Sequence, residues 1–270
     1  MMEKLRPKKS FGQNFLTDRN VLARIVESVK VDETDRILEI GPGKGALTAL
    51  LAGKASLVVA VEVDRDLVAY LRRGFAGREN VEIVESDVLK TDLKALLNER
   101  WEGRWKVAAN LPYNISSQVL FRFLDNHGLF STLTLMLQKE VGERIASGPD
   151  CKEYGILSVL CAIHFDVEKL FIVRPGAFHP VPKVDSIVLK FTALGAPRHD
   201  VGDESLFRRL VKAAFSQRRK TLWNCLKRAG LAQDEKTLVT VLNDCGIDPG
   251  RRGETLSPAE FALLSKTLAQ

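Results

Sequence analysis

Asn110, Leu111, Pro112 and Tyr113 close the short apolar run Val107-Ala108-Ala109. Together they suit a flat base that carries an exocyclic amine. The Asn110 carboxamide oxygen and a backbone carbonyl, held rigid by the following proline, can both accept hydrogen bonds from an NH₂ group. Such acceptance turns the nitrogen lone pair toward an electrophile. Tyr113, one step beyond the proline, can stack on the ring, as expected of enzymes that act on an extruded or single-stranded base. The competing reading is an ordinary Asn-x-Pro loop, a common composition for turns.

A second constellation lies upstream. Glu39-Ile40-Gly41-Pro42-Gly43-Lys44-Gly45 follows an apolar run over 36–40 and precedes the helical pattern Leu47, Leu50, Leu51, a strand, glycine-rich turn and helix in sequence. Glycines at alternate positions let the backbone pass close to a ligand, and the helix start presents free N–H groups there. A ligand containing a nucleoside fits such a turn. A second strand over 57–63 ends in Glu62 and Asp64, where a carboxylate can accept both hydroxyls of a ribose. A third over 81–85 ends in Ser86-Asp87, and the fourth carries the Asn110 turn. Four successive strands thus finish in polar residues on one edge, the edge at which open α/β sheets bind ligands. Gly41-x-Gly43-x-x-Ala46 also satisfies a loose dinucleotide fingerprint, so a nicotinamide enzyme is the first alternative. Against it stands the lack of a clear second mononucleotide half. A P-loop is excluded, because Gly45 rather than Ser or Thr follows Lys44.

The elements that must position these residues follow from periodicity. A helix starting at Thr17 or Asp18 carries Val21, Leu22, Ile25, Val26 and Val29 on one face, over the cleft. After the fourth strand come a helix near 118–124, a strand over 132–137, helices near 139–146 and 156–163, and strands near 165–173 and 186–192. Pro175, Pro180 and Pro182 between the last two require a stiff loop. That loop either holds Phe178 at a fixed height above the cleft or uses it as a buried staple. Residues 195–199 read as a linker, after which four helices fit near 204–216, 221–229, 234–243 and 258–268. The last has a Ser257-Pro258-x-Glu260 capping box, and Gly230 and Gly246 fall where C-caps should.

At 270 residues, with 45% hydrophobic content, the chain can bury a substantial core and a small second domain. Its net charge of +6 is unevenly placed. Residues 1–12 hold four basic groups against one acidic, and 201–270 hold twelve against eight, whereas 13–200 is close to balance. The basic excess flanks the sheet, as expected if both ends grip a polyanion. Charged residues replace an apolar signal core at the N-terminus and no apolar stretch of about 18 residues occurs, so a soluble, unexported, cytoplasmic protein without membrane contact is expected. The four cysteines and four histidines are scattered. Neither a disulfide scaffold nor a metal site is expected.

The motifs together resemble a known family. Glu39 to Gly45, Glu62, Asp87 and Asn110 to Tyr113 stand where S-adenosylmethionine-dependent adenine-N6 methyltransferases carry their cofactor and catalytic motifs. Lys8-Lys9-Ser10-Phe11-Gly12-Gln13-Asn14-Phe15-Leu16, Phe178-x-Pro180-x-Pro182-x-Val184-x-Ser186 and Phe215-Ser216-Gln217-Arg218-Arg219-Lys220-Thr221 are similar to those of the small-subunit (16S) ribosomal RNA adenine dimethyltransferases of the KsgA type. The resemblance covers nearly the whole chain. It implies an α/β fold, a Rossmann-like S-adenosylmethionine-dependent methyltransferase sheet over 1–195 with a small all-helical RNA-binding domain over 200–270. It implies that Asn14 and Leu16 cover the cofactor, that Gly41 and Gly43 lie under it, and that Glu62 binds its ribose and Asp87 its adenine amine. Asn110 contacts both cofactor and target base. By the same resemblance Asn110, Leu111, Pro112, Tyr113 and Phe178 form the catalytic group, and Lys8, Lys9, Arg218, Arg219 and Lys220 contact RNA. The implied substrate is a pair of adjacent adenosines in the 3′-terminal hairpin of small-subunit ribosomal RNA, met by a monomer within an assembling 30S subunit. Trp223 departs from the pattern, where another basic residue is expected. The alternatives are a large-subunit (23S) RNA methyltransferase of the antibiotic-resistance type, against which the 215–221 motif argues, and a non-catalytic RNA-binding assembly factor.

Overall fold

Apolar strands and amphipathic helices alternate through the first two thirds of the computed structural model, which describes residues 7–8 and 12–269. A two-residue strand, β1 (Phe15–Leu16), leads into α1 (Arg19–Val29), followed by β2 (Arg36–Ile40), α2 (Ala46–Leu51), β3 (Leu57–Glu62), α3 (Arg65–Gly74), β4 (Val81–Glu85), α4 (Leu93–Asn98), β5 (Trp105–Asn110), α5 (Ser116–Asp125) and β6 (Phe130–Gln138). The chain continues through α6 (Lys139–Ile145), α7 (Ile156–His164), β7 (Phe165–Val173), β8 (Phe178–His179) and β9 (Ser186–Ala193). It then becomes wholly helical in α8 (Glu204–Ala214), α9 (Leu222–Ala229), α10 (Glu235–Asp244) and α11 (Pro258–Leu268).

The main sheet has the order β4-β3-β2-β5-β6-β9-β7. From β4 to β6 all neighbours are parallel, and β9 runs antiparallel to β6. Parallel strands covered on both faces need continuous apolar runs. Val58, Val59, Ala60 and Val61 supply one and are all buried. From β2 the chain steps outward to β3 and β4, then crosses to β5 and β6 on the other side. The strand order therefore reverses between β2 and β5, and the crevice beyond their C-terminal ends is the natural ligand site.

Asp18 caps α1, its carboxylate accepting from the N–H groups of Asn20 and Val21. Leu22, Ile25, Val26 and Val29 then fall on one face, packed with Ile37, Leu47, Leu51 and Val58. Each such burial stabilises the fold by about 1.5–3 kcal/mol. Between β7 and β9 the proline cluster forms a 3₁₀ turn (Pro175–Ala177) and then β8, which pairs antiparallel with β1, Leu16 opposite Phe178.

Two compact units divide the chain: residues up to Gly142 with Glu168–Ala193, and Glu143–Val167 with the residues from Leu194 on. This division differs from 1–195 and 200–270 in the placement of 143–167. The physical reason is α7, where Leu157, Val159, Leu160, Cys161 and Ile163 are buried around most of the helix. A helix apolar on so many sides needs helical neighbours, and it packs on α8 and α11. In this second unit Asp203, Thr221, Asp234 and Ser257 cap the successive helices, and the Ser257–Glu260 capping box is formed. Gly230 and Gly246 take left-handed backbone at the ends of α9 and α10. Among the described residues no helix is long and apolar enough to cross a membrane.

Candidate active site

Beyond the ends of β2, β3, β4 and β5 lies a cleft of about 470 Å³, lined by Asn14, Leu16, Gly41, Gly43, Glu62, Asp87, Asn110, Leu111, Pro112 and Tyr113 among others. Residues far apart in sequence are brought together in it. Gly41 and Gly43 have φ values of +65° and +58°, so the turn after β2 needs residues without a side chain there. At Gly43 a Cβ would also come within 2.9 Å of the Phe15 ring, so the turn and the N-terminal arm close on each other.

Glu62, 6% exposed at the end of β3, is held by backbone donors. Its Oε1 accepts from the N–H groups of Val63 and Asp64 at 3.0 Å each, and its Oε2 from Gly43 at 3.3 Å. Burial pushes its carboxyl above the ordinary value, and the three backbone donors pull it partly back. One strand over, Asp87 Oδ1 accepts from the Leu89 N–H at 3.0 Å. Glu39, on β2, lies wholly buried in the same lining.

On the other side of the switch point, Asn110 Nδ2 donates to the carbonyl oxygen of Asn14 at 3.2 Å. A carbonyl oxygen only accepts, so this bond identifies the amide nitrogen and leaves Oδ1 as the group's acceptor. The Leu111 side chain is buried, and its N–H donates to the Met136 carbonyl at 3.2 Å. Tyr113 is half-buried at the cleft, and its hydroxyl lies 2.6 Å from Ser186 Oγ.

Two expected residues lie elsewhere. Phe178 is 2% exposed and belongs to the apolar cluster with Leu16, Leu22 and Ile25, not to the lining of the cleft. Pairing of β8 with β1 draws its ring inward, so here it staples the loop. Lys8, expected on RNA, places its ammonium 2.6 Å from Asp64 and 2.7 Å from Asp66. Gln13 Nε2 donates to the other Asp64 oxygen at 2.9 Å. Burial pushes the Asp64 carboxyl up, but the bonds from Lys8 and Gln13 outweigh it and hold the group below its usual range. Asp64 is thus the anchor of the arm and the N-cap of α3, rather than a second ribose ligand. Its place just before Arg65-Asp66 and a helical pattern was the signal for the cap. Lys9 lies outside the described residues.

In the second unit, Arg218, Arg219 and Lys220 occupy the turn between α8 and α9, all exposed. Arg218 donates to the Lys152 carbonyl, and its Nε lies 3.6 Å from Glu254. Arg218 and Arg219 line a surface cavity together with Lys152 and Arg252, two cations that sequence spacing did not connect to them. Among the described residues no three metal-ligating side chains converge.

Known proteins match this chain over nearly its whole length. The family model for ribosomal RNA adenine dimethylase matches residues 4–270. The ribosomal RNA small subunit methyltransferase A of Geobacter metallireducens is 61% identical over 266 residues, which are 98% of this chain and 97% of that protein. A dimethyladenosine transferase from Plasmodium falciparum superposes with a TM-score of 0.79 at 26% identity, covering 93% of this chain and 95% of that one. The 23S rRNA methyltransferase ErmE superposes with a TM-score of 0.68 at 26% identity, over 95% of this chain and 100% of that one.

Proposed function

The chain belongs to the ribosomal RNA adenine dimethylase family, and from that premise we propose that it dimethylates N6 of two adjacent adenosines in the 3′-terminal hairpin of small-subunit ribosomal RNA, within an assembling 30S subunit. It is a Rossmann-like methyltransferase enzyme with S-adenosylmethionine as the family's methyl donor. The observation that carries the reading is the orientation of the Asn110 amide, whose nitrogen donates to the Asn14 carbonyl and so leaves Oδ1 as the acceptor.

The cleft fits the cofactor in its donor set. The glycine turn leaves room for a close ligand, and the Glu62 carboxylate is suited to accept the hydroxyls of a ribose. Asp87, on the next strand outward, suits an adenine amine. Asn14 and Leu16 belong to the arm that closes the cleft from the N-terminal side. When bound, S-adenosylmethionine supplies a methyl group on a positively charged sulfur, so the chain has to align an amine rather than provide a strong base.

The protein's own part is therefore positioning. Asn110 Oδ1 and the Leu111 carbonyl accept from the adenine amine and draw its lone pair out of conjugation with the ring. Pro112 keeps that carbonyl rigid, and Tyr113 offers its ring to one base face. Arg218, Arg219 and Lys220 supply phosphate contacts on the second unit. The large-subunit reading is not favoured, since the extensive identity is to a small-subunit methyltransferase.

The test is to incubate the purified protein with labelled S-adenosylmethionine and unmethylated small ribosomal subunits, then digest the RNA and identify the modified nucleoside. N6,N6-dimethyladenosine in small-subunit RNA is expected. Label confined to large-subunit RNA would overturn the substrate, and binding without label would overturn the catalytic reading.

A further inference from the structure

The motif Phe178-x-Pro180-x-Pro182-x-Val184-x-Ser186 ends in a residue with no role in the mechanism above. Ser186 is fully buried, yet its hydroxyl lies 2.6 Å from the hydroxyl of Tyr113, 73 residues earlier in the chain. Its backbone is fixed from two sides. In the β6–β9 ladder Ser186 stands opposite Gln138, and the carbonyl of the preceding Asp185 accepts from the Lys139 N–H at 2.9 Å. The Asp185 carboxylate is itself held by Arg174 at 2.8 Å. A hydroxyl on so rigid a base is a fixed post.

Tyr113, by contrast, sits in a loop beyond the end of β5, on the far side of β6 from Ser186. A tyrosine side chain on a loop has alternative staggered χ1 wells, each of which puts the ring in a different place. The hydroxyl contact selects between them. Burial pushes the Tyr113 phenol above its ordinary value, so it stays protonated and the pair remains a neutral hydrogen bond at working pH.

We propose that Ser186 is the positioning residue that fixes where the Tyr113 ring sits, and through it the attitude of the target adenine. This rests on the reading of Tyr113 as the base-face residue. Ser186 touches neither substrate nor cofactor; it acts through the phenol.

Steady-state methylation of small subunits by the full-length protein tests it. Ser186→Ala should lower kcat about 5- to 10-fold, the loss of one hydrogen bond, with the cofactor Kd and the melting temperature close to the parent values. Ser186→Thr, which keeps the hydroxyl, should restore turnover. Tyr113→Phe should reproduce the loss, and adding Ser186→Ala to it should produce no further one, because the bond is already gone. Additive losses in the double variant, or a silent Ser186→Ala, would overturn the inference. Tyr113→Ala separates the two readings: loss of turnover there beside a silent Ser186→Ala sinks the positioning role alone, whereas normal turnover in Tyr113→Ala sinks the base-face reading on which it rests.

Discussion

Three carboxyl and amide groups at the strand ends differ in what their removal should do. Asn110→Ala deletes an acceptor made for the reacting amine, so it should lower kcat by about 10²-fold or more while cofactor and RNA still bind; normal turnover would end the amine-acceptor role. Glu62→Ala removes a charged acceptor and should weaken cofactor affinity roughly 10- to 100-fold by calorimetry, with RNA affinity intact. Equal loss of both would show that the two sites are not separate. Glu39 is a different case, because burial pushes its carboxyl from 4.5 up to about 8, with the Thr48 hydroxyl pulling it down and the Glu62 charge adding to the rise. The folded chain therefore holds a proton that the unfolded chain releases. Stability from this group is complete below about pH 4.5 and is lost as pH rises through about 8. Glu39→Gln cannot ionise, so its melting temperature should fall less than the parent's between about pH 5 and pH 9. Parallel curves would mean that Glu39 is already charged in the folded protein.

At the scale of elements, the arm and the proline loop decide what Phe178 does. Its ring lies in an apolar cluster beneath the β1–β8 pair, so Phe178→Ala should destabilise the protein by about 3–5 kcal/mol, as for other buried aromatics. Phe178→Leu keeps most of the apolar volume and should retain both stability and kcat. A leucine variant with a parental melting temperature but poor turnover would return the ring to the base. The sequence left both roles open, and the reason is physical. The strand Leu57–Glu62 is legible because a doubly covered parallel strand must be continuously apolar, as Leu57 to Val61 are. The cap at Asp18 and the box at Ser257 are legible because they are local chemistry. A two-residue pairing between Leu16 and Phe178 has no periodicity at all, being fixed only when the arm meets a loop about 160 positions away. The same holds for Lys8, whose charge suggested RNA until the fold set Asp64 and Asp66 beside it.

Over the whole molecule, charge reads well from sequence in amount and poorly in address. The basic excess of 201–270 was visible as a run at Arg218, Arg219 and Lys220, but the cavity beside that turn also takes Lys152 from before α7 and Arg252 from before α11. Spacing could not join them, because 143–167 belongs with the helical unit only by virtue of the burial around α7. Glu254 and Asp150 share the lining, and Glu254 is close to Arg218, so part of the positive charge is already met within the protein. Arg219 and Arg252 have no carboxylate partner among the described residues, which makes them the better phosphate donors. Each phosphate contact contributes about 0.7–0.9 to the slope of log affinity against log salt. Arg219→Gln with Arg252→Gln should therefore weaken binding to the small subunit and flatten that slope by roughly 1.5. Arg218→Gln should flatten it less, since its guanidinium is shared with Glu254 and the Lys152 carbonyl. Cofactor affinity should not change in any of them, and a slope that stays at the parental value in the double variant would move the RNA-binding face away from this turn.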